Sequence, residues 1–120
     1  MILVDSSVWI AHLRRSSTHL AELLRDGRVL CHPHVLGELA CGALKRRREV
    51  LGLLGLLPRV VEASNEEVLV LVEEHRLFGR GLGWIDVHLL ASGRLGDARL
   101  WTLDKRLAAA ASMLDLAHYD

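Results

Sequence analysis

Short apolar runs alternate along this chain with longer stretches in which apolar residues recur at helical spacing. The short runs predict strands at residues 2–4, 29–31, 60–61 and 99–102, with a possible last strand at 114–116. The longer stretches predict helices at about residues 8–13, 20–24, 33–44, 46–54, 68–77, 84–92 and 105–111. Strands that alternate with helices favour a parallel sheet covered on both faces. We therefore predict an α/β fold, a three-layer α/β/α sandwich with a central, mostly parallel sheet.

Turn and capping residues agree with these boundaries. Pro33 suits the first turn of a helix, and Ser64 with Glu67 three residues later has the pattern of a capping box. The glycine-rich segment 79–83 predicts a flexible loop. Its spacing is wrong for a dinucleotide-binding loop, and no strand precedes it.

Length and composition place the chain among ordinary globular proteins. Its 120 residues suit one domain, 1–120, and 51% apolar residues with zero net charge argue against disorder. No apolar run is long enough to cross a bilayer, and the first residues lack the features of a signal peptide. We expect a cytoplasmic protein. Cys31 and Cys41 match no zinc or disulfide pattern and are expected to be unpaired thiols.

The basic residues are mostly arginine and form two clusters. One is Arg14 and Arg15; the other is Lys45, Arg46, Arg47 and Arg48. Arginine binds phosphate in a bidentate manner, so both clusters are candidates for contact with a nucleic acid. Each cluster is equally compatible with a solvated helix end that has no partner.

Two acids follow predicted strands. Asp5 comes directly after the first strand and Asp104 after the fourth, so both side chains should emerge at the carboxyl edge of a parallel sheet, where ligands bind. The alternative is structural, because an aspartate after a strand is a good N-cap for the next helix.

Two further acids lie within predicted helices. Asp86 has apolar neighbours on nearly every side, as in a buried helix, where an ionised carboxylate is costly unless a cation or an arginine accompanies it. The helical pattern turns Glu38 away from the apolar face of its helix, which indicates a solvated surface glutamate. If these four acids shared one pocket, they would repel one another and retain protons, and their oxygen-only ligands would suit Mg²⁺ or Mn²⁺.

The chain resembles the PIN-domain family, and more narrowly the VapC toxins of bacterial toxin–antitoxin pairs. The resemblance covers essentially the whole length and rests on four ordered segments: Ile-Leu-Val-Asp5-Ser-Ser, Leu-Gly-Glu38-Leu, Trp-Ile-Asp86-Val-His-Leu-Leu-Ala and Leu-Trp-Thr102-Leu-Asp104. It implies that the four acids in these segments form a catalytic metal site. It also implies that Ser6 and Thr102 orient carboxylates or water around that site. Many relatives carry another acid two residues after the last aspartate, where this chain has Arg106, which puts a second metal ion in doubt.

The same resemblance implies an activity and partners. The activity is hydrolysis of RNA, structured RNA such as tRNA or rRNA in particular, to 5′-phosphate and 3′-hydroxyl ends with Mg²⁺ or Mn²⁺. The partners are a cognate VapB-like antitoxin, which blocks the acidic pocket, and a second copy of the chain in a homodimer.

Three alternatives compete with this interpretation. A receiver-type regulatory module needs an acceptor aspartate after a middle strand, and a phosphatase of the haloacid dehalogenase type needs Asp-x-Asp after the first strand; neither pattern is present. A catalytically inactive PIN-like scaffold would lose acids, whereas all four are present. His88 lies two residues after Asp86 in the same predicted helix and is expected to be a packed core histidine rather than a catalytic base.

Overall fold

A computed structural model describes residues 1–119. Within that range the chain forms three strands and seven helices. The strands are β1 (Ile2–Val4), β2 (Val29–Leu30) and β3 (Arg99–Trp101). The helices are α1 (Ser6–Arg14), α2 (Thr18–Arg25), α3 (Pro33–Ala40), α4 (Arg47–Leu54), α5 (Asn65–Glu74), α6 (Trp84–Leu95) and α7 (Lys105–Met113).

The three strands form one parallel sheet in the order β2-β1-β3. Ile2 is in register with Val29 on one side and with Arg99 on the other. The first strand is therefore the central one, and helices flank the sheet. This confirms the predicted α/β class with a central parallel sheet. The strands at residues 2–4, 29–31 and 99–102 were placed correctly to within one residue.

Two predicted strands are wrong. Residues 60–61 form no strand; the segment makes one isolated parallel bridge, between Cys31 and Arg59. Pro58 has no N–H to donate, so pairing is confined to a few bonds around that bridge. Residues 114–116 also form no strand, because Leu114 ends α7 and pairing is limited to a bridge between Leu100 and Ala117.

Several helix ends differ from the prediction. Helix α3 stops at Ala40 rather than near residue 44, and α5 stops at Glu74 rather than near residue 77. Arg76, just beyond α5, has a φ of 50°, which no helix continues. Helix α6 runs further than predicted, to Leu95.

The core lies between the sheet and its helices. Leu3 and Val4 are fully buried, as expected of a strand with neighbours on both sides and helices on both faces. Residues 87–93 of α6 are buried as well, which agrees with the apolar character of that helix. Both cysteines are free thiols, and burial raises the pKa of Cys31. Among residues 1–119 no helix is both long and apolar enough to span a membrane.

Candidate active site

The carboxyl ends of β1 and β3 lie side by side and bring two distant segments together. Val4 is paired with Trp101, so Asp5 and Thr102 follow directly at the same edge of the sheet. The Asp5 N–H donates to the Trp101 carbonyl at 2.9 Å. The predicted meeting of Asp5 with the end of the late strand is thus a result of the parallel register.

Asp5 is buried, with 6% of its surface exposed. Its Oδ2 accepts hydrogen bonds from Ser7 Oγ and from Thr102 Oγ1, each at 2.7 Å. Asp5 occupies the N-cap position of α1 but makes no side-chain cap bond, so the capping alternative is wrong for this residue. Two short hydroxyl bonds fix the carboxylate, which agrees with the orienting role predicted for Thr102.

Ser7 is a site residue that the sequence analysis missed. Besides its bond to Asp5, its Oγ accepts from the Leu103 N–H at 3.0 Å and lies 3.3 Å from Thr102 Oγ1. Ser7 therefore links the start of α1 to the segment after β3. The signal was present in the Asp-Ser-Ser segment, since the second serine can reach back to the aspartate two residues earlier.

Glu38 lies near the end of α3 and turns toward Asp5. Ser6 Oγ donates to Glu38 Oε1 at 3.2 Å and makes a longer contact of 3.5 Å with Asp5 Oδ1. The Glu38 side chain is exposed, as its pattern indicated, but it is not isolated. Partial burial of its carboxyl raises its pKa, the Ser6 bond opposes this, and the nearby Asp5 and Asp86 charges raise it further.

Asp86 is the third residue of α6. Its Oδ2 accepts from the Gly83 N–H at 2.8 Å, which holds the carboxylate at the start of the helix. Burial raises the pKa of Asp86, the Gly83 bond lowers it, and the charges of Asp5 and Asp104 raise it again. Among residues 1–119 no arginine is a cause of this shift, and the charges that act on the half-buried Asp86 are those of Asp5 and Asp104.

Asp104 is the N-cap of α7. Together with Asp5, Glu38 and Asp86 it makes up the set of acids that we call the acidic cluster. Its Oδ1 accepts from the backbone N–H groups of Arg106 at 2.9 Å and Leu107 at 3.0 Å. Its own N–H donates to Thr102 Oγ1 at 3.1 Å. The capping interpretation therefore holds for Asp104, and its second oxygen remains available.

The four carboxylates share one arrangement, in which one oxygen is anchored and the other is left over. Within residues 1–119, Glu38 Oε2, Asp86 Oδ1 and Asp104 Oδ2 accept no hydrogen bond, and Asp5 Oδ1 has only the long contact from Ser6. These hard oxygen donors fit a small divalent cation in kind. The described residues do not form a closed cage, however, since no three His, Cys, Asp or Glu side chains among them are already placed to hold a metal ion.

The two basic clusters are exposed. Arg14, Lys45 and Arg46 line one open groove of about 740 Å³, together with apolar side chains of α1 and α4. Arg47 is partly committed elsewhere, because its guanidinium donates to the Ala40 carbonyl from Nε at 3.1 Å and Nη2 at 2.8 Å. Arg47 thus caps the end of α3.

His88 is buried and packed. Its ring meets Trp84 and His34 edge to face, with centroid distances of 4.6 and 4.7 Å, and neither ring nitrogen has a hydrogen-bond partner among residues 1–119. Burial, followed by the charge of His34, lowers the pKa of His88. The structure thus places His88 in the core, as predicted.

Comparison with known proteins gives concordant results. The PIN domain family matches residues 2–113. The Ribonuclease VapC32 proteins of Mycobacterium tuberculosis strains CDC 1551 / Oshkosh and ATCC 25618 / H37Rv are each 55% identical over 111 residues, which is 92% of this chain and 90% of theirs. The crystal structure of PAE2754 from Pyrobaculum aerophilum shares the fold, with a TM-score of 0.61 and 19% identity over 90% of this chain and 77% of that one. The receiver and haloacid dehalogenase alternatives are therefore wrong. The chain belongs to the PIN-domain family and, within it, to the VapC type.

Proposed function

We propose that this protein is a metal-dependent endoribonuclease toxin that cleaves RNA phosphodiester bonds to 5′-phosphate and 3′-hydroxyl ends. The observation that supports the proposal is a series of pairwise interactions among the acids: Ser6 contacts both Asp5 and Glu38, and the charges of Asp5 and Asp104 act on Asp86. The nearby charges of Asp5 and Asp86 help to raise the pKa of Glu38, and the charges of Asp5 and Asp104 help to raise the pKa of Asp86. The 55% identity to a ribonuclease supports the same reaction.

The four acids would hold Mg²⁺ or Mn²⁺ through the oxygens that their hydrogen bonds leave over. Such an ion supplies Lewis-acid chemistry: it polarises a phosphate oxygen and offsets the charge that develops in phosphoryl transfer. Ser7 and Thr102 keep Asp5 Oδ2 in place, and Ser6 joins Glu38 to the same cluster. Asp104 is kept in place by the start of α7 and Asp86 by the start of α6, so rigid elements fix both carboxylates.

An acidic site repels RNA, so cations elsewhere must attract it. The exposed residues Arg14, Arg15, Lys45, Arg46 and Arg48 are available for contact with phosphates, and Arg47 is available only in part. We expect an Arg14→Ala/Arg15→Ala variant to bind RNA more weakly and with a flatter dependence on salt, because each lost phosphate contact removes about 0.7 from the logarithmic salt slope on single strands. An unchanged slope would exclude both residues as phosphate contacts.

The proposal includes partners and a location. A cognate VapB-like antitoxin would inhibit the enzyme by covering the acidic site, and a second copy of the chain would form a homodimer. Structured cellular RNA such as tRNA or rRNA is the proposed substrate, and the cytoplasm, where this RNA resides, is the proposed location. We propose that one PIN-like domain, residues 1–120, carries all of these functions.

The test is cleavage of total cellular RNA by the purified protein in Mg²⁺ or Mn²⁺ and in EDTA. Two variants remove site charges: Asp5→Ala, and Asp104→Asn, which retains a good N-cap for α7. Asp26→Ala is a matched control, because Asp26 is an exposed aspartate at the end of α2. We expect discrete fragments with 5′-phosphates from the wild type and the control, and none from the site variants or in EDTA. Cleavage that persists in EDTA would refute the metal-dependent mechanism.

A further inference from the structure

Arg106 lies at the border of the acidic cluster with its guanidinium placed over a glycine. It belongs to the first turn of α7, and its side chain passes directly across Gly81. A Cβ at position 81 would lie 2.6 Å from Arg106 Nη1 and 2.8 Å from its Cδ. Such distances are well inside van der Waals contact, so the guanidinium can occupy this place only because residue 81 has no side chain.

The contact between Arg106 and Gly81 joins two segments that each hold a site acid. The Arg106 N–H donates to Asp104 Oδ1, and Gly81 lies in the loop that ends at Gly83, whose N–H donates to Asp86 Oδ2. The Arg106 side chain therefore spans from the start of α7 to the loop before α6. This position is at the rim of the site, between the elements that hold Asp104 and Asp86.

The guanidinium has no electrostatic partner in the described part of the chain. It makes no hydrogen bond or ion pair with residues 1–119, and the side chain is exposed. The guanidinium lies against Gly81 without a salt bridge to hold it there. A guanidinium that is held in place with all its donors free is well suited to bidentate binding of a phosphate.

We propose that Arg106 binds a backbone phosphate of the RNA beside the cleaved bond, and that Gly81 is the positioning residue that lets it do so. This inference rests on the proposed nuclease function. Arg106 supplies positive charge at the rim of a pocket that otherwise repels the substrate. It also adds a contact that neither of the basic clusters on α1 and α4 provides.

The first experiment compares Arg106→Gln and Arg106→Lys with the wild type. Binding of a short, fluorescein-labelled single-stranded RNA is measured by anisotropy in EDTA at several salt concentrations, and cleavage of total cellular RNA is measured in Mg²⁺. We expect Arg106→Gln to weaken binding roughly tenfold, as for the loss of a charged hydrogen bond. The logarithmic salt slope should flatten by about 0.7. Arg106→Lys should restore the slope, because it retains the charge.

The second experiment separates the position of Arg106 from backbone strain. Gly79 and Gly81 have φ values of 70° and 75°, but a Cβ at position 79 would meet nothing within 4 Å. Gly79→Ala is therefore a control with the same strain and without the clash. We expect Gly81→Ala to weaken binding as Arg106→Gln does, Gly79→Ala to leave it unchanged, and Gly81→Ala to have no further effect on RNA binding in an Arg106→Ala background.

The outcomes distinguish the two proposals. A wild type that cleaves RNA, together with an Arg106→Gln variant of unchanged affinity and salt slope, would overturn the role of Arg106 and leave the nuclease function standing. Equal losses in Gly79→Ala and Gly81→Ala would overturn the positioning role of Gly81. A wild type that neither binds nor cleaves RNA would remove the nuclease function and the role of Arg106 with it.

Discussion

His32 should make this protein progressively less stable as the solution is acidified. The residue is 1% exposed, its Nδ1 accepts the His34 N–H at 2.9 Å at the start of α3, and its Nε2 has no partner among residues 1–119. Burial, followed by the positive charges of His34, His88 and Arg59, lowers its pKa to about 4. A second proton on this ring would be a buried charge without a partner.

The magnitude follows from the two pKa values. Below pH 6.5 the unfolded chain gains a proton at His32, whereas the folded chain does not until about pH 4. The stability that the neutral His32 ring contributes is fully present above the pKa of the unfolded state. It is lost as the pH falls toward the pKa of the folded state. At about 1.4 kcal/mol per pH unit, the interval amounts to about 3 kcal/mol of unfolding free energy. That is a large part of the roughly 5–15 kcal/mol that stabilises a typical domain.

The assay is urea unfolding, followed by circular dichroism at several pH values between the two pKa values, for the wild type and His32→Asn. Asparagine retains an acceptor for the His34 N–H and does not titrate. The lost ring volume lowers stability by the same amount at every pH, so only the slope is diagnostic. In His32→Asn we expect the free energy of unfolding to depend on pH with a slope shallower than in the wild type by up to about 1.4 kcal/mol per pH unit. The slope that remains comes from His88 and other groups. Equal slopes in the two proteins would refute the reasoning.

Two other predictions concern the acidic site. Thr102→Val removes a donor from the buried Asp5 carboxylate; it should slow RNA cleavage roughly ten- to a hundredfold, and Thr102→Ser should restore it. A valine variant as active as the wild type would contradict this. Glu38→Gln relieves the repulsion from Asp5 and Asp86, so in EDTA it should raise the free energy of unfolding by roughly a few tenths of a kcal/mol, the small gain typical of exposed charges. The same variant should lose most of the thermal stabilisation that Mg²⁺ gives to the wild type. If Glu38→Gln melted at a lower temperature than the wild type in EDTA, this would count against repulsion at Glu38.

The elements that local pattern defines strongly were predictable from the sequence. The apolar run at residues 2–4 and the apolar surface of α6 both give a clear signal, and both are in the core. The weak strands were not predictable in the same way, because a two-residue apolar run such as 60–61 does not reveal how many partners it will pair with. The end of α3 depends on Arg47, which reaches back seven residues to cap the Ala40 carbonyl. A local pattern does not contain that contact.

In the candidate site, too, some residues were predictable from the sequence pattern, whereas others depend on contacts between distant segments. Asp5 and Asp104 were expected at one sheet edge because strand order and direction determine where strands end. Helical periodicity gave no reason to place Glu38 beside them, and the family resemblance supplied that residue. Ser7 was missed because its role depends on the Leu103 N–H, a contact between segments 96 residues apart that only the folded chain reveals.

The position of β1 in the centre of the sheet has a consequence for biosynthesis. Strand β1 is made before β3 but needs β3 as one of its two neighbours, and Thr102 reaches Asp5 across 97 residues of sequence. Contacts this distant in sequence form late, and a chain growing on the ribosome cannot make them until the later segment has emerged. A chain released before residue 99 would carry three of the four acids yet have no partner for the open edge of its first strand. Incomplete translation products of this message therefore lack an assembled site, and the nuclease that we propose would be harmless until its synthesis has passed residue 104.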